Sequence, residues 1–337
     1  MSLLYLTQQG TKLQKEQGRL VLSLPDSAEI DLPVEEVEQV MVFGNVQLTT
    51  PALSTCLNHQ IPVVFLSQTG VYRGLLWGDR HDYRAQAAQF EQFKDETFQL
   101  AIAREIVIGK AWNSKQLLLK LNRRRKIAAV ETAIERIDRE LGAIARLEAS
   151  PSALDSLRGY EGAIAAHYFP ALGQLITTEG FSLTTRVRRP PTDPVNALLS
   201  FGYMLLFNNV MSLLYLEGLN PFLGNLHRSD RHEAQLAFDL VEEWRSPVVD
   251  TLVIQLINQQ VLKLSDFLPP KPDGAVYLND QARRRYLQAF EDRIMTLVKH
   301  PDARESVPYR RAIQLQMRRY KRSLQDNTPY EAFRRVT

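Results

Sequence analysis

The sequence holds a single cysteine, Cys56. That excludes an internal disulfide framework and a zinc site built on several thiolates. Cys56 is expected as a small apolar residue buried in a helix. The chain also lacks a strong charge imbalance: 41 Lys and Arg stand against 38 Asp and Glu, a net charge of +3. The molecule is no polycation, so nucleic-acid contacts must come from local basic patches. The amino terminus, MSLLYLTQQGTKLQ, has no basic segment followed by an apolar core. No signal peptide is expected, and a cytoplasmic location is. One stretch of span-like length is largely apolar, Val195 to Leu216, and it carries Asn196, Ser200, Asn208 and Asn209. A lipid-facing span would avoid these side chains, so a buried core helix is expected and no membrane contact.

With 337 residues, 45% hydrophobic and 23% charged, the chain has the composition of a globular protein with room for two domains. Residues 1–80 read as β-rich. Strands are expected at Leu3–Leu6, Arg19–Leu24, Val37–Phe43, Val46–Thr50 and Ile61–Leu66, with a last one from Gly70 to Trp77. Thr50-Pro51 reads as the start of a helix running to about His59. This part holds no catalytic cluster and suits a scaffold or dimerisation domain.

From residue 81 to 337 helical patterns dominate. One helix is expected over Ala85–Ile108 and another from Ser114 to about Ala149, with Arg123–Lys126 as a basic run inside it. Asp193-Pro194 reads as a helix cap and first turn, preceded by a proline-locked basic loop with Arg186, Arg188 and Arg189. Guanidinium groups held there suit bidentate phosphate contacts, and an ordinary surface loop fits equally well. Asn196 and Tyr203, seven apart, share a face of the helix that follows. Further expectations are a strand at Ala275–Leu278, a helix capped by Asn279 and reaching about Lys299, and a basic helical tail after Pro308. The Arg283–Arg285 run and the tail could each offer phosphate contacts or be solvated. Residues beyond Leu324 read as disordered.

The chain is organised around Leu219–Asp250. A turn at Asn220-Pro221 leads to His227 in a polar loop, and a helix is expected from about Arg231. Asp239 and Glu242, three apart, would share one helical face, with Arg245 nearly one turn further. An imidazole delivered onto paired carboxylates suits Mg²⁺, or Mn²⁺ where nitrogen takes part. An ordinary loop histidine and a solvated acidic face fit the same spacing. His227 and His232, with Asp230 between them, have the wrong spacing for a zinc or HD-type site. Upstream, Glu161 stands in a small, apolar helical segment, YEGAIAAHYF, where a lone carboxylate is costly without a cation.

Taken in order, YEGAIAAHYF, DPVNALLSFGYMLL, GLNPFLGNLH and LAFDLVEEWR followed by PVVD resemble the CRISPR-associated integrase family, the nuclease subunit of the spacer-acquisition complex in antiviral defence. The resemblance covers the whole chain. It implies an α+β fold, an amino-terminal β-rich domain followed by a larger all-α catalytic domain. It implies a metal-dependent DNA endonuclease and integrase in which the 3′-hydroxyl of a short captured DNA attacks a phosphodiester at the leader–repeat junction of a CRISPR array. The metal ligands carry over to Glu161, His227 and Glu242, the last standing where the family often has Asp. Asp239 matches a further acidic position, auxiliary or orienting. The face with Asn196 and Tyr203 would look toward the site, and Arg245 would contact a phosphate oxygen. The implied partners are DNA, a second copy of the chain in a homodimer, and a small ferredoxin-like CRISPR subunit bridging two dimers. Two other classes remain: a general metal nuclease on branched DNA, and a nucleic-acid-binding module without chemistry. Carboxylates repel DNA, so the acidic trio argues against the latter.

Overall fold

The computed structural model describes residues 2–26, 28–78, 82–227, 233–326 and 328–335. The chain divides into two compact units, Met1–His81 and Asp82–Thr337.

The first unit runs β1 (Ser2–Leu6), β2 (Lys12–Glu16), β3 (Arg19–Ser23), β4 (Glu29–Leu32), β5 (Val37–Phe43), β6 (Gln47–Leu48), α1 (Thr50–Asn58), β7 (Val63–Leu66) and β8 (Tyr72–Leu76). One sheet has the order β1-β5-β7-β8 and the other β4-β3-β2-β6. Leu6, Leu13, Leu20, Val40, Val42, Cys56 and Val63 pack together as its core. Strands β2 and β4 escape a sequence reading because KLQKE is mostly polar and EIDL is a short, largely exposed segment. In β2 only Leu13 is fully buried. The β2–β3 hairpin turns on Gln17-Gly18, both at positive φ (45° and 86°), as tight hairpins require. Thr49, one residue before the expected Thr50, caps α1 by accepting a hydrogen bond from the Ala52 amide. Cys56 is buried in α1, and burial pushes its thiol up to about 11.

The second unit holds α2 (Tyr83–Gln92), α3 (Glu96–Asn122), α4 (Ala128–Ala145), α5 (Ala153–Gly173), α6 (Pro194–Leu216), α7 (Gln235–Val241), α8 (Thr251–Asn258), α9 (Asp280–Ile294), β9 (Leu297–Val298), β10 (Val307–Pro308) and α10 (Tyr309–Gln325). A strand-rich first unit and a mainly helical second one make the fold α+β. The helix boundaries near 110 differ from expectation. The chain breaks at Phe93–Asp95, where the Asp95 carboxylate accepts the Thr97 and Phe98 amides and starts α3. Helix α3 then runs unbroken through Asn113 and Ser114, because their polar ends find buried partners: Asn113 donates to Glu243 O and Phe333 O, and Ser114 meets Ser246 Oγ. Arg123–Lys126 lies in the turn after α3, with Lys126 at φ 53°, and not inside a helix.

Asp193 caps α6 as expected, accepting from the Asn196 amide, with Pro194 at the first position. Helix α6 is long and apolar enough to cross a membrane, yet most of it is buried in the protein. Ala275–Leu278 is no full strand; Leu278 makes one isolated bridge to Phe267. Helix α9 stops at Ile294, short of Lys299, and gives way to β9.

The basic tail is helical, but most of its cations have intramolecular partners. Arg310 pairs with Glu291, Arg318 with Glu217, Lys321 with Asp82, and Arg319 and Arg322 with Asp302. Arg283 and Arg285 pair likewise with Asp280 and Asp266. Residues 328–335 form no helix or strand but pack onto the second unit, against the expected disorder. Phe333 lies stacked on Trp244 with ring centres 4.3 Å apart, and Tyr330 and Ala332 are buried. Gly109 of α3 permits this path, since a Cβ there would stand 2.6 Å from Ala332 Cβ and 3.3 Å from Glu243 Cγ.

Candidate active site

Three helical segments bring the site together. Helix α5 carries Glu161, α3 lies beside it, and the segment after α7 supplies Glu242 and Arg245. That segment is not one α-helix. Helix α7 ends at Val241, a 3₁₀ turn covers Glu242–Trp244, and a π-helical turn covers Arg245–Asp250 before α8 begins. Pro247 sits inside the π turn, where its missing N–H and its ring break the regular i→i−4 ladder.

Lys110 of α3, absent from the sequence reading, stands between the two carboxylates. Its ammonium donates to Glu161 Oε1 and lies 2.7 Å from Glu242 Oε2. Arg245 Nη1 reaches the other oxygen, Glu242 Oε1, at 2.8 Å. Glu242 is buried, and its Oε2 accepts no hydrogen bond in good geometry, so Lys110 holds that atom by charge. Burial pushes the Glu242 carboxyl up, but Arg245, Lys110 and His227 outweigh it and bring it down to about 2. Glu161 is less enclosed, its side chain 20% exposed. Among the described residues, no three His, Cys, Asp or Glu side chains stand close enough to hold a metal ion between them.

Asp239, three residues before Glu242, spends its carboxylate on the loop that carries His227. Its buried carboxylate accepts the backbone amides of Asn225, Leu226 and His227 at 2.5, 2.9 and 2.9 Å, and it meets His227 Nδ1 at 2.7 Å. It is the clamp for the loop that delivers His227. Burial lowers the basicity of the ring, but the Asp239 hydrogen bond and charge raise it further, and the net shift is upward. Arg158, one turn before Glu161 on α5, holds the same loop by donating to Leu226 O at 2.9 Å. The α7 helix begins at Gln235; Arg231, Asp230 and His232 lie outside the described residues.

Arg245 is partly buried, its guanidinium over the Tyr203 ring at 4.9 Å. The Tyr203 and Tyr168 hydroxyls donate to Asp250 at 2.5 and 2.7 Å. Tyr203 thus packs between Arg245 and Asp250, while Asn196 turns to the loop before its helix. Its side chain accepts from Arg186 and the Val187 amide and donates to Thr185 O and Asp193, which pins the 185–193 loop. Arg186 is likewise built in, bonded to Asn196 and Ser200 and stacked on Tyr203. Arg188 and Arg189 are exposed.

The family model for CRISPR associated protein Cas1 matches residues 4–292. The chain belongs to the Cas1 family. A curated Cas1 relative, "CRISPR-associated endonuclease Cas1 1" of Thermus thermophilus, is 37% identical over 98% of each chain. The solved CAS1 protein from Thermotoga maritima superposes with a TM-score of 0.82 at 26% identity, covering 99% of this chain and 100% of its own. A chain of a solved Cas6-RT-Cas1–Cas2 complex matches with a TM-score of 0.83 at 25% identity; this Cas1 sequence covers 36% of that longer chain. The motifs with Glu161, His227, Asp239 and Glu242 all lie inside the matched region.

Lys110 and Arg158 had no usable sequence signal. A lysine in a long helix reads as solvated, and its two partners lie 51 and 132 residues further on.

Proposed function

We propose that this Cas1 chain is a metal-dependent DNA integrase and endonuclease that joins short captured DNA to a CRISPR array. The observation that carries the reading is the buried Glu161–Lys110–Glu242 cluster beside the clamped His227, in a chain of the Cas1 family.

The donor set fits Mg²⁺ or Mn²⁺. Two carboxylates already share one cation, one buried oxygen of Glu242 lacks a hydrogen bond, and the His227 imidazole lies near enough to act on Glu242 by charge, so a bound ion would have to draw the three together. Glu161, Glu242 and His227 would hold the ion. The Nδ1 contact with Asp239 leaves Nε2 as the nitrogen for it, an arrangement that fixes tautomer and ring direction. Bound there, the ion would neutralise charge on the scissile phosphate and steady the attacking or leaving oxygen. Asp239 and Arg158 keep the His227 loop in register. Arg245, braced on Tyr203, places a fixed positive charge beside Glu242. Exposed Arg188 and Arg189 lie on a loop pinned by Asn196 and would contact backbone phosphates.

The relative in the Cas6-RT-Cas1–Cas2 complex supports a Cas2-type partner subunit for this chain. The family resemblance supports a homodimer, with two dimers bridged by that subunit, working on DNA in the cytoplasm.

The test is a strand-transfer assay with a labelled short duplex, a supercoiled leader–repeat plasmid, Mn²⁺ or Mg²⁺ and the small partner subunit. Wild type should give joined product and the Glu161→Ala and His227→Ala proteins none, with DNA binding retained. Nicking without joining would favour a general nuclease. Normal joining by Glu161→Ala would sink the assignment of the site.

A further inference from the structure

We propose that Lys110 is the site's own cation in the absence of metal, holding Glu161 and Glu242 together in the place a divalent ion takes, and that its ammonium then turns to the DNA phosphate. This rests on the metal reading given above and adds to it a competitor for the ion and a phosphate contact.

The placement is the first argument. Lys110 is buried, and its two recorded ion pairs are with Glu161 and Glu242, from two different segments. An ammonium with carboxylate oxygens on both sides does the electrostatic work of a bound cation. Two carboxylates facing each other without it, one of them buried, would repel.

The charges are the second. Glu161 and Glu242 carry two negative charges, and Lys110 and Arg245 two positive ones, so the four side chains balance. A divalent ion entering the same space leaves two positive charges in surplus. A buried unpaired charge needs a partner. A phosphodiester, with two anionic-sharing oxygens and a further charge developing on the departing oxygen, supplies one. These four side chains are thus balanced without metal, and loading the ion makes the cluster more attractive to DNA.

Mobility is the third. Arg245 is held by Glu242 Oε1 and by the Tyr203 ring. Lys110 has a flexible stem, and at Glu242 it is held by charge without hydrogen-bond geometry. Of the two cations, Lys110, bonded only to the partly exposed Glu161, is the less firmly braced. Glu161, partly exposed, leaves that side of the cluster open to solvent and substrate.

The experiment uses the full chain, with Mn²⁺ binding read by electron paramagnetic resonance of the free ion and by melting with and without Mn²⁺. Wild type, Lys110→Gln, Lys110→Arg and Glu161→Gln are compared. Lys110→Gln should melt below wild type without metal, gain more in Tm from Mn²⁺, and bind Mn²⁺ more tightly. Its strand transfer should fall about a hundredfold, the scale of losing one positioned charge-stabilising group. Lys110→Arg keeps the charge and should bind Mn²⁺ no more tightly than wild type. Should Lys110→Gln not fold, tighter Mn²⁺ binding by Lys110→Arg than by wild type would overturn the proposal. Unchanged or weaker Mn²⁺ affinity in Lys110→Gln, or wild-type turnover, would also overturn it while leaving the metal site intact. Absence of Mn²⁺ binding by wild type and Glu161→Gln alike would overturn the metal reading and this one together.

Discussion

Asp239 holds His227 at two points, accepting its backbone amide at 2.9 Å and meeting its ring Nδ1 at 2.7 Å. The same carboxylate takes the two preceding amides, so one side chain fixes both the loop and the direction of the imidazole ring.

Asp239→Asn should therefore damage function more than its size suggests. One oxygen becomes a donor and faces a donor amide or ring N–H. A loss of about 10–100-fold in metal affinity and strand transfer is expected, with stability falling by about 1–3 kcal/mol from the unsatisfied buried donors. Mn²⁺ titration and urea unfolding of the variant check both.

The segment at 328–335 should be a structural part of the second unit. Phe333 stacks on Trp244 and on His300, and its amide donates to Glu243 at 2.6 Å. Phe333→Ala should cost about 3–5 kcal/mol, as expected for an aromatic ring removed from a packed core. Denaturant unfolding measures this, and activity at low temperature should survive if the fold is retained.

Asp302 should make stability fall at strongly acid pH. The hydrogen bonds and charges of Arg319 and Arg322 bring its carboxyl from 3.8 to about 2. A carboxyl depressed in the folded state contributes stability that is complete above its unfolded value. That contribution is lost as pH falls through about 2. Asp302→Asn should be less stable than wild type at pH 7, and the gap should narrow by pH 2. Urea midpoints at the two pH values decide it.

The arginines of the 185–193 loop should separate by role. Arg188→Ala and Arg189→Ala should each weaken DNA binding across sequences and reduce the salt slope of log K by about 1. Arg186→Ala should lower Tm, because its guanidinium ties Asn196 and Ser200 together. Binding isotherms at several salt concentrations, with melting curves, distinguish them.

Local chemistry made parts of this structure legible. Asp193-Pro194 and Asn279 announce helix starts because a short polar side chain ahead of a helix has few other uses. Val37–Phe43 reads as a strand from its β-branched and apolar run. The family motifs mark Glu161, His227, Asp239 and Glu242. What stayed hidden depends on distant partners. Asn113 and Ser114 look like a helix interruption until Glu243, Phe333 and Ser246 are seen to satisfy them. The tail looks like a DNA-facing surface until Asp302, Glu217 and Glu291 are placed against it. Lys110 looks solvated until two carboxylates converge on it.

The π turn at Arg245–Asp250 works as a phase shifter in the chain. Its wider bonding takes up one residue more per turn than an α-helix. A helical wheel drawn through the whole of 235–258 therefore misplaces every side chain beyond Glu242. Deleting one residue inside the turn would let the ladder close as ordinary helix. Because the wider turn absorbs that residue, Asp250 would keep its direction relative to Glu242 and its bonds to the two tyrosine hydroxyls. A one-residue deletion in the regular helix α7 has no such slack and would turn the residues on its two sides by roughly 100° relative to each other.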